Sequence, residues 1–455
     1  MEADVLIKRL ESEGIPREKV AFTDIDGVQR GKYLSLDKFR GIAAGTSGFC
    51  DCVFGWDVDD QLYDNAKFTG WHTAFPDATY RIDLATERRL GDEGNIPLFL
   101  AEFVQDDVSR HPVCPRSRLR EVVGRAEERG FISRMGFEYE FFVFRETSHS
   151  IREKGYRNLE PLSPGNFGYS LLRTMTHADL FNEYMDYCSD HKLTLEGLHC
   201  ETGPGVWEAA ISADTVLEAA DKAALFKTLT KTFFQRRDMV VTFMAKWSMD
   251  YPGQSGHLHQ SLFSSESGEN LFFDRASENH ISKLMLNYLG GLLQYMKEYL
   301  AMTSPTINSY TRLVKGAWAP TASTWGIENR TTALRVIGSS ESSKRVEFRV
   351  GSADANPYLV AAANLAAGLE GIERGLSPGA ATQGNAYDQQ DNMPESHQLC
   401  SNLREAAEIF RSSMFAREWF GGAFVDHFSA SRDWEVREYE RHINDWQLKR
   451  YFEII

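Results

Sequence analysis

Apolar and polar positions along the chain change period several times, and each change marks an expected element. Val5, Leu6, Ile7 and Leu10 among the polar residues of 1–10 predict an amphipathic helix. Val20 to Ile25 reads as extended chain running into Asp26-Gly27, a dipeptide suited to a hairpin turn. The first ~110 residues thus read as a small β-rich unit. His111-Pro112-Val113-Cys114-Pro115 then punctuates the chain, and Leu119, Val122, Val123 and Ala126 recur at helical spacing over 117–130. Beyond it, 216–237 has a helical period, 239–247 is β-branched and aromatic, and 281–302 is helical again. Residues 375–397 are rich in turn formers and predict an exposed loop, whereas 402 onward reads as mostly helical. The expected fold class is α+β, with domains at 1–111 and 112–455.

Four segments place chemically capable residues two apart in apolar sequence, the spacing that sends both side chains to one face of a strand. In Phe137-Glu138-Tyr139-Glu140-Phe141 the glutamates share a face and the aromatic residues the other. Gly256-His257-Leu258-His259 aligns two imidazoles. Arg345-Val346-Glu347-Phe348-Arg349 aligns three charges. Finally, Leu198-His199-Cys200-Glu201 meets Gly203-Pro204-Gly205, a turn that could bring Glu201 towards Glu208.

Glu138, Glu140, Glu201, Glu208, Glu347 and His257 form a mostly oxygen donor set, better matched to Mg2+ or Mn2+ than to a closed zinc site. Several ionised carboxylates converge only when cations neutralise them. Arg312, Arg330, Arg335, Arg345 and Arg349 could supply the cations that stabilise a transferring phosphoryl group. No GxxxxGK[ST] motif occurs, which argues against a P-loop.

The 455 residues, 42% apolar with 29 Phe, suffice for a large core and exclude a disordered or fibrous chain. A formal charge of −15 opposes nucleic acid and anionic lipid as partners. Six scattered cysteines fit neither a disulfide scaffold nor a paired zinc motif. With no apolar run of 18 residues and no leader pattern, a cytoplasmic protein is expected.

In this order the segments resemble the glutamine synthetase family across nearly the whole chain. Besides the four strands, Asn308-Ser309-Tyr310-Thr311-Arg312-Leu313, Asn329-Arg330 and Ala355-Asn356-Pro357-Tyr358 carry the likeness. It implies a β-grasp-like N-terminal domain and a catalytic domain whose curved antiparallel sheet forms a funnel. It also implies two or more Mg2+ or Mn2+ ions between ATP and glutamate, and a homo-oligomer of stacked hexameric rings with sites between subunits. By the same resemblance, Glu140, Glu201 and Glu208 hold one ion, and Glu138, His257 and Glu347 the other. His259 and Ser261 lie towards ATP with His199 nearby; Arg330, Arg335 and Arg345 face the phosphates; Gly253, Arg312 and Arg349, together with Arg330, hold glutamate.

Two departures bear on the nitrogen substrate. In ammonia-using relatives an acidic flap residue precedes Ala-Pro, but here Gly316-Ala317-Trp318-Ala319-Pro320 carries an indole. An indole packs an alkyl or aryl group and attracts a cation, but it takes no proton. The family's aspartate loop is replaced by Gly55-Trp56-Asp57-Val58-Asp59-Asp60, where Asp57 is the favoured amine-site aspartate, with Asp51 and Asp60 as competitors. Both departures resemble the glutamate–amine ligase branch, which joins glutamate to a small organic amine. The competing expectations are a glutamine synthetase using ammonia and a non-catalytic homologue. Tyr387 falls near the loop where some bacterial relatives are adenylylated.

Overall fold

The computed structural model describes residues 3–105 and 110–455, so the first two residues of the expected N-terminal helix lie outside it. Two sheets organise the chain. The smaller has the order β2-β1-β5-β4-β3, built from β1 (Arg17–Thr23), β2 (Gln29–Ser35), β3 (Ser47–Cys50), β4 (Asp77–Leu90) and β5 (Ile96–Phe103). β1 and β2 form the hairpin expected at Asp26-Gly27: Asp24 Oδ1 accepts from the N–H groups of Asp26 (3.0 Å) and Val28 (2.9 Å), and Gly27 takes φ 88°. β1 and β5 pair in parallel, as a β-grasp arrangement requires.

The larger sheet contains β6 (Phe131–Phe144), β7 (Leu195–Cys200), β8 (Val206–Ile211), β9 (Asp214–Thr215), β10 (Val240–Thr242), β11 (Gly256–Ser264), β12 (Trp325–Ile327), β13 (Leu334–Ile337) and β14 (Arg345–Phe348). Its main path is β12-β13-β14-β11-β6-β8-β7, antiparallel except for β12 with β13. Period-two patterning decides which face is buried. On β6, Phe137, Tyr139 and Phe141 are buried towards the helix Val216–Gln235, with Tyr139 stacked 6.0 Å from Phe226. Each such ring contributes about 2 kcal/mol of burial energy, so the opposite, glutamate-bearing face is held towards the cavity.

Behind the sheet, the helix Pro357–Glu373 is buried nearly all round and crosses Lys283–Tyr295 at glycine contacts. A methyl group on Gly368 would fall 2.0 Å from the Tyr288 ring, which is why only glycine fits. Asn356 caps this helix through Tyr358 N–H at 3.0 Å. Its amide also donates to Asp24 O (3.0 Å) and Ile25 O (3.2 Å), tying the small sheet's hairpin to the large body.

Two expectations are trimmed. Only Val240–Thr242 of the stretch 239–247 is strand, because Trp247 turns back onto Phe144, ring centroids 4.9 Å apart, and Lys246 N–H donates to Asn308. The run 281–302 is two helices, Lys283–Tyr295 and Leu300–Thr303. Buried residues continue through the break, so periodicity did not reveal it.

Candidate active site

Sheet register assembles the site. Antiparallel pairing sets His257 of β11 opposite Glu138 of β6, and His259 opposite Glu347 of β14. On the other side of β6, Glu140 pairs with Glu208 of β8, which itself faces His199 of β7. Arg335 of β13 faces Glu347. Cross-strand partners lie roughly 5 Å apart at their Cβ atoms, so side chains remote in sequence meet on one face.

They line a cavity of about 730 Å3. Of the metal, nucleotide, glutamate and amine residues expected from the sequence, all line it except Asp57 and Ser261, and Tyr387 of the exposed loop also lies outside. Ser261 lies further along β11, paired with Arg134. Asp57 belongs to the small-sheet unit, where Oδ1 accepts from Asp59 N and Gln61 N, both at 2.9 Å, and Oδ2 from Trp434 Nε1. Its competitors Asp51 and Asp60 stand outside as well; Asp60 pairs with Arg30 at 2.7 Å.

Two ligand clusters emerge. His199 Nε2 is 3.2 Å from Glu201 Oε1 and 3.8 Å from Glu208 Oε1. His257 Nδ1 lies 3.4 Å from Glu347 Oε1 and 3.6 Å from Glu138 Oε2, and His259 Nε2 lies 3.0 Å from Glu138 Oε1. The donor atoms of Glu138, His259 and Glu347 fit round one ion, and so do those of His199, Glu201 and Glu208. The two imidazoles of β11 nevertheless differ. Arg345 Nε donates to His259 Nδ1 at 3.1 Å, which leaves the ring proton on Nε2 and makes that nitrogen a donor, not a ligand. His257 has no such restriction, and its Nδ1 faces both carboxylates.

Electrostatics set these carboxylates against one another. Burial, then the charges of Glu140, Glu138, Glu201 and Glu347, push the Glu208 carboxyl up to about 9. Burial lifts Glu140 to about 7 although Ser255 N–H donates to it at 2.6 Å. Burial also acts on Glu347, but His257 and Arg349 outweigh it and hold that carboxyl at about 2. The donor set therefore fits hard divalent cations, which remove the mutual repulsion that raises Glu208 and Glu140.

Arginines ring the acids. Arg312, pulled down to about 10 by burial, is braced by Val350 O (2.8 Å) and Ser255 Oγ (2.9 Å). A methyl group on Gly253 would fall 2.6 Å from Arg312 Cγ, so glycine is what lets loop and arginine meet. Arg330 is exposed at the rim and has no ion pair among the described residues. Trp318, with φ 60°, is 63% exposed at the same opening.

Sequence reasoning gave no role to Tyr169, Thr202, Val206, Pro252, Ser255 and Ala317, which also line the cavity. Tyr169 stacks on His199 with centroids 4.5 Å apart and planes 9° from parallel. Its only sequence cue is an aromatic residue after Asn166-Phe167-Gly168 in a glycine-containing loop.

The sheet thus gathers two acid–imidazole clusters, each with donor atoms placed to hold a metal ion, beside a group of arginines in one cavity. The family model "Glutamine synthetase, catalytic domain" matches residues 112–451, and the chain belongs to the glutamine synthetase family of ATP-dependent ligases. It is 43% identical over 454 residues to type-1 glutamine synthetase 2 of Dictyostelium discoideum, covering 99% of this chain and 86% of that one. It is 36% identical over 448 residues to glutamate–isopropylamine ligase of a Pseudomonas species, covering 98% and 97%. Among solved structures, GmaS without ligand superposes with a TM-score of 0.84 at 26% identity over 98% of this chain and 99% of that one. No helix among the described residues is long and apolar enough to cross a membrane.

Proposed function

We propose that the protein joins the γ-carboxylate of glutamate to a small organic amine, with conversion of ATP to ADP and phosphate. The observation that carries this reading is Trp318, an exposed indole at the mouth of a cavity otherwise lined by acids, imidazoles and arginines. An indole there offers an apolar wall to an alkyl or aryl group, a contact that ammonium cannot make. A relative with the activity named glutamate–isopropylamine ligase supports it.

In this reading Glu140, Glu201 and Glu208 hold one divalent ion, and Glu138, His257 and Glu347 the other. Bound there, the ions would offset phosphate charge and lower the repulsion among these carboxylates. Arg312, Arg349 and Arg330, beside Gly253, hold the glutamate carboxylates. Arg335 and Arg345, with His259 Nε2–H, donate to the phosphates, while His199 and Ser261 lie towards the nucleotide. A γ-carboxylate oxygen attacks the γ-phosphorus and ADP leaves, giving γ-glutamyl phosphate. The neutral amine nitrogen then attacks the γ-carbonyl carbon, phosphate leaves, and the nitrogen gives up a proton. Asp57 takes part only if it reaches the cavity of a neighbouring copy, as stacked hexameric rings of this family would allow.

A second reading, ammonia as the nitrogen substrate, is favoured by the relative named glutamine synthetase at 43% identity. Phosphate release with glutamate, ATP and either ammonium or an amine panel separates the two readings. Amine preference supports the first; ammonium preference replaces it with the second.

A further inference from the structure

Glu328 adopts φ 49°, a backbone region that side chains other than Asn and Asp rarely occupy. What holds it there is visible. It follows β12, its N–H donates to Val336 O at 3.0 Å, and its Oε1 accepts from Gly338 N at 3.3 Å. The next residue, Asn329, fastens the loop: Nδ2 donates to Gly384 O at 2.8 Å, and Oδ1 accepts from Thr331 N at 3.0 Å and Thr331 Oγ1 at 2.7 Å. Among the described residues its carboxylate makes one ion pair. Oε2 accepts from Arg335 Nη2 at 2.6 Å.

Arg335 therefore spans two acids. Its Nη1 reaches Glu347 Oε2 inside the cavity at 3.2 Å, and its Nη2 reaches Glu328 outside. The two acids are not equivalent. The Glu347 side chain is 2% exposed, and its other oxygen is also shared with Arg349 and His257. The Glu328 side chain is 53% exposed, and Arg335 is the cation it pairs with among the described residues. Once Glu347 is engaged by the contents of the cavity, Glu328 is the anionic anchor left to Arg335 among the described residues. An arginine that receives phosphate oxygens must already be in place, because orientation paid for during binding weakens it.

We propose that Glu328 is a positioning residue for nucleotide phosphates: it holds Arg335 against the cavity wall without touching the substrate. This rests on the ligase reading for the identity of the phosphate.

Calorimetric titration with ADP and Mg2+, alongside steady-state kinetics, tests it in Glu328→Ala, Glu328→Gln and Glu328→Asp. Loss of a charge-assisted hydrogen bond predicts an ADP Kd and an ATP KM raised about tenfold in the Ala and Gln variants. The glutamate KM should stay within about twofold, and Asp should restore most of the nucleotide affinity. An unchanged ADP Kd in Glu328→Ala overturns the proposal. So does an equal rise in nucleotide and glutamate constants that Asp does not rescue, the mark of a purely structural role. Because ADP binding is read without turnover, a wild type silent with every amine counts against the ligase reading alone.

Discussion

The indole Nε1 of Trp434 donates a 2.8 Å hydrogen bond to Oδ2 of Asp57, joining the helix Gly422–Arg441 to the loop that carries the proposed amine-site aspartate. Tyr63 packs edge-on against the same indole, with centroids 5.8 Å apart. The loop's geometry is thus set by its own chain, and the carboxylate is presented on a fixed scaffold.

Trp434→Phe deletes the donor while keeping an aromatic ring beside Tyr63. The amine kcat/KM should fall roughly three- to tenfold, the scale of one hydrogen bond to a charged group, with ATP and glutamate KM unchanged. Steady-state kinetics on the three substrates check this. Equal effects on all three would detach Asp57 from the amine.

Glu347 is the junction of the larger cluster, within reach of His257, Arg335 and Arg349. Glu347→Ala should reduce turnover by roughly a thousandfold or more, since it removes a metal ligand and takes the carboxylate partner from the buried Arg349. Phosphate release measured at saturating Mn2+ checks it. Near-normal activity would remove Glu347 from the ligand set.

Trp318→Glu restores a carboxylate to the cavity mouth. The ratio of ammonium to amine kcat/KM should rise about tenfold or more, through attraction of the smaller cation and loss of the apolar wall. Competition assays with product mass read this ratio. An unchanged ranking would make Trp318 a packing residue of the flap.

Glu208 and Glu140, raised by burial to about 9 and about 7, bind protons more tightly in the folded than in the unfolded chain, where glutamate titrates near ~4.3. Their contribution to stability is therefore fully present below pH ~4.3 and is lost as pH rises towards 9. Cation binding displaces those protons. The gain in Tm from saturating Mn2+ should grow between pH 6 and 9, and calorimetry in buffers of different ionisation enthalpy should show proton release near pH 7. Metal binding without proton release would contradict the assignment of these two ligands.

Much of the site was legible because strand chemistry repeats every second residue. Glu138 and Glu140, His257 and His259, and Glu347 with its flanking arginines declare shared faces within one short segment each. Their convergence was not legible, because it depends on register between strands more than 100 residues apart, such as His257 opposite Glu138. Tyr169 and Glu328 escaped for another reason. Both sit at positive φ in loops, where no periodicity exists and function depends on backbone geometry. The resemblance gave Asp57 a role at an amine site, and one chain alone leaves it outside the cavity it was matched to.

An organic amine and ammonia are separated as nitrogen substrates by the rate and product each gives. The direct measurement is phosphate release from ATP with glutamate and Mg2+, comparing ammonium with methylamine, isopropylamine, ethanolamine, putrescine and aniline, each product identified by mass. One organic amine should give a kcat/KM at least about tenfold above that of ammonium, a margin an apolar contact can supply. Preference for ammonium, with glutamine as the product, would contradict it.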